Sequence, residues 1–249
     1  GGLARLVAPA PVVGLVLSDV VGNDLGVVAS GPTAPDETTF DDALDVLDRF
    51  DLGVPSSVRT RLARGSAGEL PETPKPGSPV FDRVTNYVLA DTYTALDAAR
   101  DAAEELGYDP LVLSSRVRGE AREAAKTLSA VAQEVVATGN PLAAPAVVLA
   151  GGECTVTVRG DGVGGPNLEF CLAAAPELPA SAVLASVDSD GIDGASGVAG
   201  ALVDAETVDS RAATAALADN DALPVLREAG ALVETGPTGT NVNDVRVLV

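Results

Sequence analysis

A chain of 249 residues, 46% of them hydrophobic, is long enough to bury one large core or two modest ones and too apolar to be disordered. The formal charge of −20, from 36 acidic against 16 basic residues, argues against nucleic acid or an anionic membrane as partner. The absence of His removes Ser-His-Asp triads, Cys-His dyads and HExxH zinc sites together.

In chain order, the apolar run at 12–17 predicts a buried parallel strand ending in Ser18-Asp19. A loop rich in Gly, Pro, Asp and Thr follows. Thr38 or Thr39 can cap a helix over about 40–50, and a short helix is expected near 55–64. Residues 65–80 hold four prolines and three glycines and read as a linker. Beyond it we expect a strand at 86–90, a helix at 92–106 closed by Gly107, a strand at 111–113, a helix at about 119–138 and a strand at 146–150. Thr155-Val156-Thr157-Val158 alternates and predicts a half-exposed strand. A helix at about 167–175, a strand at 182–187, helices near 207–217 and 221–228, and a final strand at 245–249 complete the pattern. Strands alternating with helices indicate an α/β sheet with parallel pairs.

Other features bear on setting. Acids are scattered, and Lys75 and Lys126 are the only lysines, a composition suited to high salt and a halophilic origin. No signal-peptide pattern or long apolar run is present, so a cytoplasmic protein is expected. The start at Gly1-Gly2 and the absence of Met suggest a fragment or processed chain. Cys154 and Cys171 lack metal-ligand spacing and read as small core residues.

Four segments carry candidate chemistry. Gly160 to Gly165, GDGVGG, matches a dinucleotide fingerprint literally. The alternating TVTV before it, Glu169 in the first helical turn and Arg159 before the first Gly turn the reading toward a phosphate-handling loop of another kind. Asp188, Asp190 and Asp193 in DSDGIDG offer oxygens to a hard cation such as Mg²⁺, though not with EF-hand spacing; turn-capping is the bland alternative. Thr238, Thr240, Asn241 and Asn243 lie in a Gly-rich loop with groups for phosphate or hydroxyl oxygens. Gly151-Gly152-Glu153 follows a strand, either as a ligand-contacting turn or as a plain hairpin.

These segments occur together as GGECTVTVRGDGVGGPNLE, DSDGIDG and GPTGTNVNDVRVLV, behind SDVVGNDLGVVASGPTAPDETTF. In that order the chain resembles the glycerate 2-kinase family, whose C-terminal module is the MOFRL domain and whose members are often called hydroxypyruvate reductases. The resemblance implies the remainder of a Rossmann-like N-terminal domain (1–66), a linker (67–80) and a mixed α/β C-terminal domain (81–249) with the MOFRL module at about 145–249. It implies ATP-dependent phosphorylation of D-glycerate, an active site in an interdomain cleft, and a catalytic lysine upstream that neither Lys75 nor Lys126 replaces.

Carried over residue by residue, the resemblance puts Arg159 with Asp188 and Asp190 in catalysis, and Asp188, Asp190 and Asp193 on Mg²⁺. Binding residues would be Ser18, Asp19, Ser30, Gly31, Gly151, Gly152, Glu153, Gly160, Gly162, Gly164, Gly165, Asn167, Glu169, Thr238, Thr240, Asn241 and Asn243. Pro166 and Leu168 stand where the family pattern has Arg and Gln. The partners expected are D-glycerate and a nucleotide, with a homo-oligomer left open. Two rival readings are an NAD(P)H-dependent hydroxypyruvate reductase and a catalytically inactive fragment that binds nucleotide or glycerate.

Overall fold

The computed structural model describes residues 1–249. They form two compact units, one of 1–16 with 23–89 and one of 17–22 with 90–249. No helix is long and apolar enough to cross a membrane.

The first unit contains α1 (Gly2–Val7), most of β1 (Val12–Leu17), α2 (Phe40–Arg49), α3 (Ser56–Ser66) and most of β2 (Val84–Ala90). Thr39 proves to be the cap of α2. Its hydroxyl accepts from Asp42 N at 3.2 Å, and the Asp42 carboxylate accepts Thr39 N at 2.7 Å, a complete capping box. β1 departs from the buried strand expected. It forms a two-stranded sheet with β2, and Val13 and Leu15 are 66% and 67% exposed. A continuous apolar run marks a strand, but whether both faces are covered depends on partners the run does not specify.

The expected linker at 67–80 lies inside this unit. Glu72 caps α2 by accepting Phe40 N at 3.0 Å, Thr73 Oγ1 donates to Asp36 at 2.8 Å, and Asp36 N donates to the Pro74 carbonyl at 3.0 Å. Prolines here fix an ordered strap, and the chain passes between the units at 16/17, 22/23 and 89/90.

The second unit is built on α4 (Thr92–Glu105), β3 (Asp109–Glu120), α5 (Ala121–Thr138), β4 (Ala146–Thr155), α6 (Pro166–Ala174), β5 (Val183–Asp188), β6 (Gly200–Asp204), α7 (Ser210–Ala218), α8 (Ala222–Glu228), β7 (Leu232–Val233) and β8 (Asp244–Leu248). The strand order is β3-β4-β8-β5-β6-β7. Only β3 and β4 are parallel; every other pair is antiparallel. The fold is therefore mixed α/β.

β4 is buried on both faces. Val147 and Leu149 pack with Leu96 and Ala103 of α4, whereas Val148 joins the larger core with Leu128, Leu168, Leu172 and Leu248. α6 is buried along all but its first residue, which suits a helix without a polar face.

Three strand expectations change. β3 and β4 are longer than their apolar cores, because pairing continues from Val117↔Gly152 to Glu120↔Thr155. Gly151 and Gly152 therefore lie within a strand, neither in a terminal turn nor in a hairpin. A Cβ on Gly152 would come within 2.2 Å of the Val117 carbonyl oxygen, so tight strand contact accounts for that glycine. Residues 156–158 leave the sheet, so TVTV is not a strand.

Candidate functional site

Sheet register assembles an acidic cluster. Asp244 at the start of β8 faces Gly152 on one side and Asp188 on the other, and Glu153 is the next residue along β4. Partial burial, then the charges of Asp244, Asp188 and Asp19, push the Glu153 carboxyl up to about 7. Partial burial likewise raises Asp188 to about 6, aided by Asp190 and Asp244 and opposed by an N–H bond from Asp190. Four carboxylates that share one region invite a cation or retain protons near neutrality.

Two loops frame this cluster. Asp188 Oδ1 accepts Asp190 N at 3.0 Å, and Asp190 Oδ1 accepts Ile192 N at 2.7 Å, so each aspartate stabilises its own turn. The loop of Thr238, Thr240, Asn241 and Asn243 is stitched to it. Thr238 Oγ1 donates to the Ser189 carbonyl at 2.6 Å, Thr238 N donates to the Asp190 carbonyl at 3.0 Å, and Ser189 Oγ accepts Val242 N at 2.8 Å. Asn241 Oδ1 accepts Asn243 N at 2.9 Å, and Asn243 Nδ2 donates to Thr92 Oγ1 at 3.2 Å. Thr240 lies between them with a long 3.4 Å bond from its N to Thr238 Oγ1. The two loops are thus one rigid surface next to Glu153 and Asp188.

The glycine loop has a different occupant from the phosphate anticipated. The turn between α7 and α8 fills it. Asn220 Oδ1 accepts Arg159 N at 2.6 Å and Gly160 N at 3.1 Å. Gly162 N donates to the Asp219 carbonyl at 3.0 Å, and Val163 N donates to Asp221 Oδ1 at 3.0 Å. A Cβ on Gly160 would lie 2.1 Å from Asp219 Oδ1, and one on Gly165 would lie 2.4 Å from the Asp193 carboxylate; Gly162 is equally crowded by Asp219 and Asp221, whereas Gly164 has ordinary contacts. The Gly160, Gly162 and Val163 amides are spent on the protein itself, and the fingerprint marks close packing of two loops.

The α6 start is likewise internal. Asp193 is fully buried; its Oδ1 accepts Asn167 N at 2.9 Å and its Oδ2 accepts Leu168 N at 2.9 Å. It supplies the helix cap that Gly165 lacks. Burial raises it to about 6 against those N–H bonds. Asp193 is therefore a helix cap, not a third metal ligand, and no three acidic or Cys side chains converge as a metal centre.

Asn167, also fully buried, donates to Asp244 Oδ1 at 2.7 Å and accepts from Ser186 Oγ at 2.5 Å. Glu169, 1% exposed, accepts from Arg122 Nη2 at 2.6 Å and Asn220 Nδ2 at 2.6 Å. Both position the site from behind and do not face a ligand. Pro166 occupies the first helical position, where its missing N–H is harmless, and Leu168 is core.

The remaining expected residues divide by unit. Asp19 joins the Glu153 cluster through its charge, and Ser18 is buried with its N bonded to the Ala90 carbonyl at 2.9 Å. Ser30 and Gly31 belong to the first unit, in a left-handed run with Ala29 at φ 49, 62 and 57° for residues 29, 30 and 31. The Arg159 side chain is exposed and in no salt bridge, with Glu120 feeling its charge; no hydrogen bond or ion pair links it to the Glu153 cluster. Lys75 is tied to Glu72 at 3.2 Å and Lys126 to Glu123 at 2.9 Å.

Residues missed by sequence reasoning are Asp244, Arg246, Asn220 and Arg122. Asp244 and Arg246 lay inside a quoted motif; Asn220 and Arg122 act through partners some 50–60 residues away and leave no local signal.

Residues 146–244 match the MOFRL family and residues 1–63 match the Domain of unknown function DUF4147. The MOFRL match begins one residue after the expected start and stops short of the end. Over its full length the chain is 36% identical to a glycerate 2-kinase of Pyrococcus horikoshii. Over 98% of its length it is 38% identical to a D-glycerate 2-kinase of Thermotoga maritima. It is also 40% identical, over its full length, to a putative hydroxypyruvate reductase of Agrobacterium vitis. The chain spans 58%, 58% and 57% of these relatives. Its fold matches the crystal structure of a Thermotoga maritima glycerate kinase with a TM-score of 0.85 at 38% identity, covering 100% of this chain and 59% of that one.

Proposed function

We propose that this chain belongs to the glycerate 2-kinase family, as its MOFRL and DUF4147 segments and its relatives support, and serves the ATP-dependent phosphorylation of D-glycerate. The observation that carries the reading is the sheet register that sets Asp244 between Gly152 and Asp188, with Glu153 next along β4. It lies in a chain that resembles glycerate kinases along its whole length.

Phosphoryl transfer needs charge neutralisation and alignment more than covalent chemistry, which suits a site without His. Asp188 and Glu153 fit a hard cation by donor type and by their mutual repulsion; Asp193 does not, because its oxygens are engaged in the α6 cap. Mg²⁺, when bound there with ATP, would neutralise phosphate charge. Arg159 offers an exposed fork for a carboxylate or phosphoryl oxygen. Asn167 and Arg246 hold Asp244 in place behind them.

The reductase reading, prompted by the name of one relative, finds no nucleotide loop in GDGVGG, whose amides bond to Asn220, Asp219 and Asp221. A paired assay separates the two: ADP formed from D-glycerate with ATP and Mg²⁺, against NADH or NADPH consumed with hydroxypyruvate. Nicotinamide oxidation without ADP formation would reverse the proposal. Arg159→Ala is expected to lower kcat/KM at least about a hundredfold; unchanged turnover would remove Arg159 from the chemistry.

A further inference from the structure

A second place in the molecule asks for a ligand. Arg246, on β8, is fully buried. Its Nη2 donates to Asp244 Oδ2 at 2.5 Å, and its guanidinium carbon lies 4.5 Å from the centre of the Phe170 ring. Its Nε and Nη1, however, are buried without an acceptor. A guanidinium stays charged and presents only donors, and buried donors are normally satisfied by protein, water or a ligand.

Beside it is a cavity of about 240 Å³. Arg246, Phe170 and Ala150 border it within the core, and Leu128 of α5 lines it from the same buried cluster. Arg118 and Thr127, both solvent-exposed, line it as well. Nine residues line this space; two are arginines and none is acidic. The lining thus selects against cations. Its other walls, including Leu113, Val117 and Ala124, suit carbon better than water, the usual arrangement of a small-molecule site.

We propose that this cavity binds a small organic carboxylate. Its charged end would lie on Arg246 Nε and Nη1, with Arg118 adding a second positive charge, and its short carbon chain would lie against Leu113, Val117 and Leu128. The site adjoins the Glu153–Asp188 cluster, but the proposal does not rest on the kinase reading. The two share Asp244, which contacts Arg246 directly and acts on Glu153 through its charge.

Isothermal titration calorimetry of the full chain with sodium butyrate tests the site, with ionic strength held constant by sodium chloride. One saturable event per chain is expected. Ala124→Leu, which fills the cavity from α5, should abolish it, and Arg118→Ala should weaken it at least about fivefold. Glu153→Gln should leave it intact. Arg246→Met sits in the core and can fail to fold, so Ala124→Leu carries the decision. No butyrate heat, heat that survives Ala124→Leu, or loss of heat in Glu153→Gln would each overturn the proposal. So would chloride competing as strongly as an equal concentration of butyrate, which would reduce the cavity to a halide site.

Discussion

Replacing Asn220 by Ala tests the claim that the glycine loop is held by protein and not by a ligand. Asn220 Oδ1 accepts two amides of the loop, from Arg159 and Gly160, and Nδ2 reaches the buried Glu169 carboxylate at 2.6 Å. The loop amides can turn to water when released, so each bond is counted at about 0.5 kcal/mol, whereas the bond to a buried charge contributes about 2 kcal/mol. Asn220 also stands at φ 55°, where Ala is strained by about 1 kcal/mol. The expected loss is about 4 kcal/mol for Asn220→Ala and about 3 kcal/mol for Asn220→Gly, which loses the same bonds without the strain. Urea unfolding at fixed KCl, extrapolated linearly, measures both. Hydrogen exchange at the Arg159 and Gly160 amides should accelerate in both variants. If both variants fall within about 1 kcal/mol of the parent, or if those two amides keep their protection, the packing account of the loop is wrong.

Glu153 and Asp188 should make the folded chain less stable as pH rises. Their carboxyls sit at about 7 and about 6, above the values of 4.5 and 3.8 usual for exposed groups. The folded state therefore holds protons that the unfolded state has released, and stability falls as pH climbs from about 4 through 7. Glu153→Gln should flatten the upper part of that fall in melting temperature; an identical slope in both proteins would contradict the cluster. The lowered carboxyls, Asp36, Asp42, Glu120 and Asp204, act in the opposite sense but below that window. Asp193→Ala removes the acceptor of the first two α6 amide bonds and should cost about 3 kcal/mol in urea unfolding; a cost under about 1 kcal/mol would mean that α6 does not need this cap. Gly160→Ala drives a Cβ against Asp219 and should cost about 2 kcal/mol, whereas Gly197→Ala, with open space around it, should cost about 1 kcal/mol through its backbone angle alone. Equal losses at the two positions would remove the steric argument.

Except for α1, which no expectation covered, the helices were legible in the sequence because their signals are local. Thr39 with Asp42, Gly107 and Gly139 mark ends by chemistry that acts within a few residues. The strands were legible only as apolar cores. The stretch from Val117 to Glu120 joins β3 because β4 lies beside it, and no property of those residues alone requires it. The same limit governed the site. GDGVGG, DSDGIDG and GPTGTNVND were each read as ligand-facing because Gly, Asp, Thr and Asn suit ligands. Those residue types suit close contact between loops equally well, and which use prevails depends on what lies opposite.

Asn220 lies opposite the glycine loop, some 60 residues away in sequence, and it converts a phosphate-like motif into a clasp. Asp193 meets the α6 amides and becomes a cap. Glu153 and Asp188 meet other carboxylates, with Arg246 only partly offsetting the charge on Glu153, and that imbalance is what leaves them as chemistry. Arg246 repeats the logic with the opposite sign: a buried charge whose protein partners run out before its donors do. Of the polar groups singled out by type, those with incomplete protein partners are the ones a ligand can still complete. By that criterion the functional candidates are Glu153, Asp188, Arg159 and Arg246, while Asn167, Glu169 and Asp193 hold the frame that presents them.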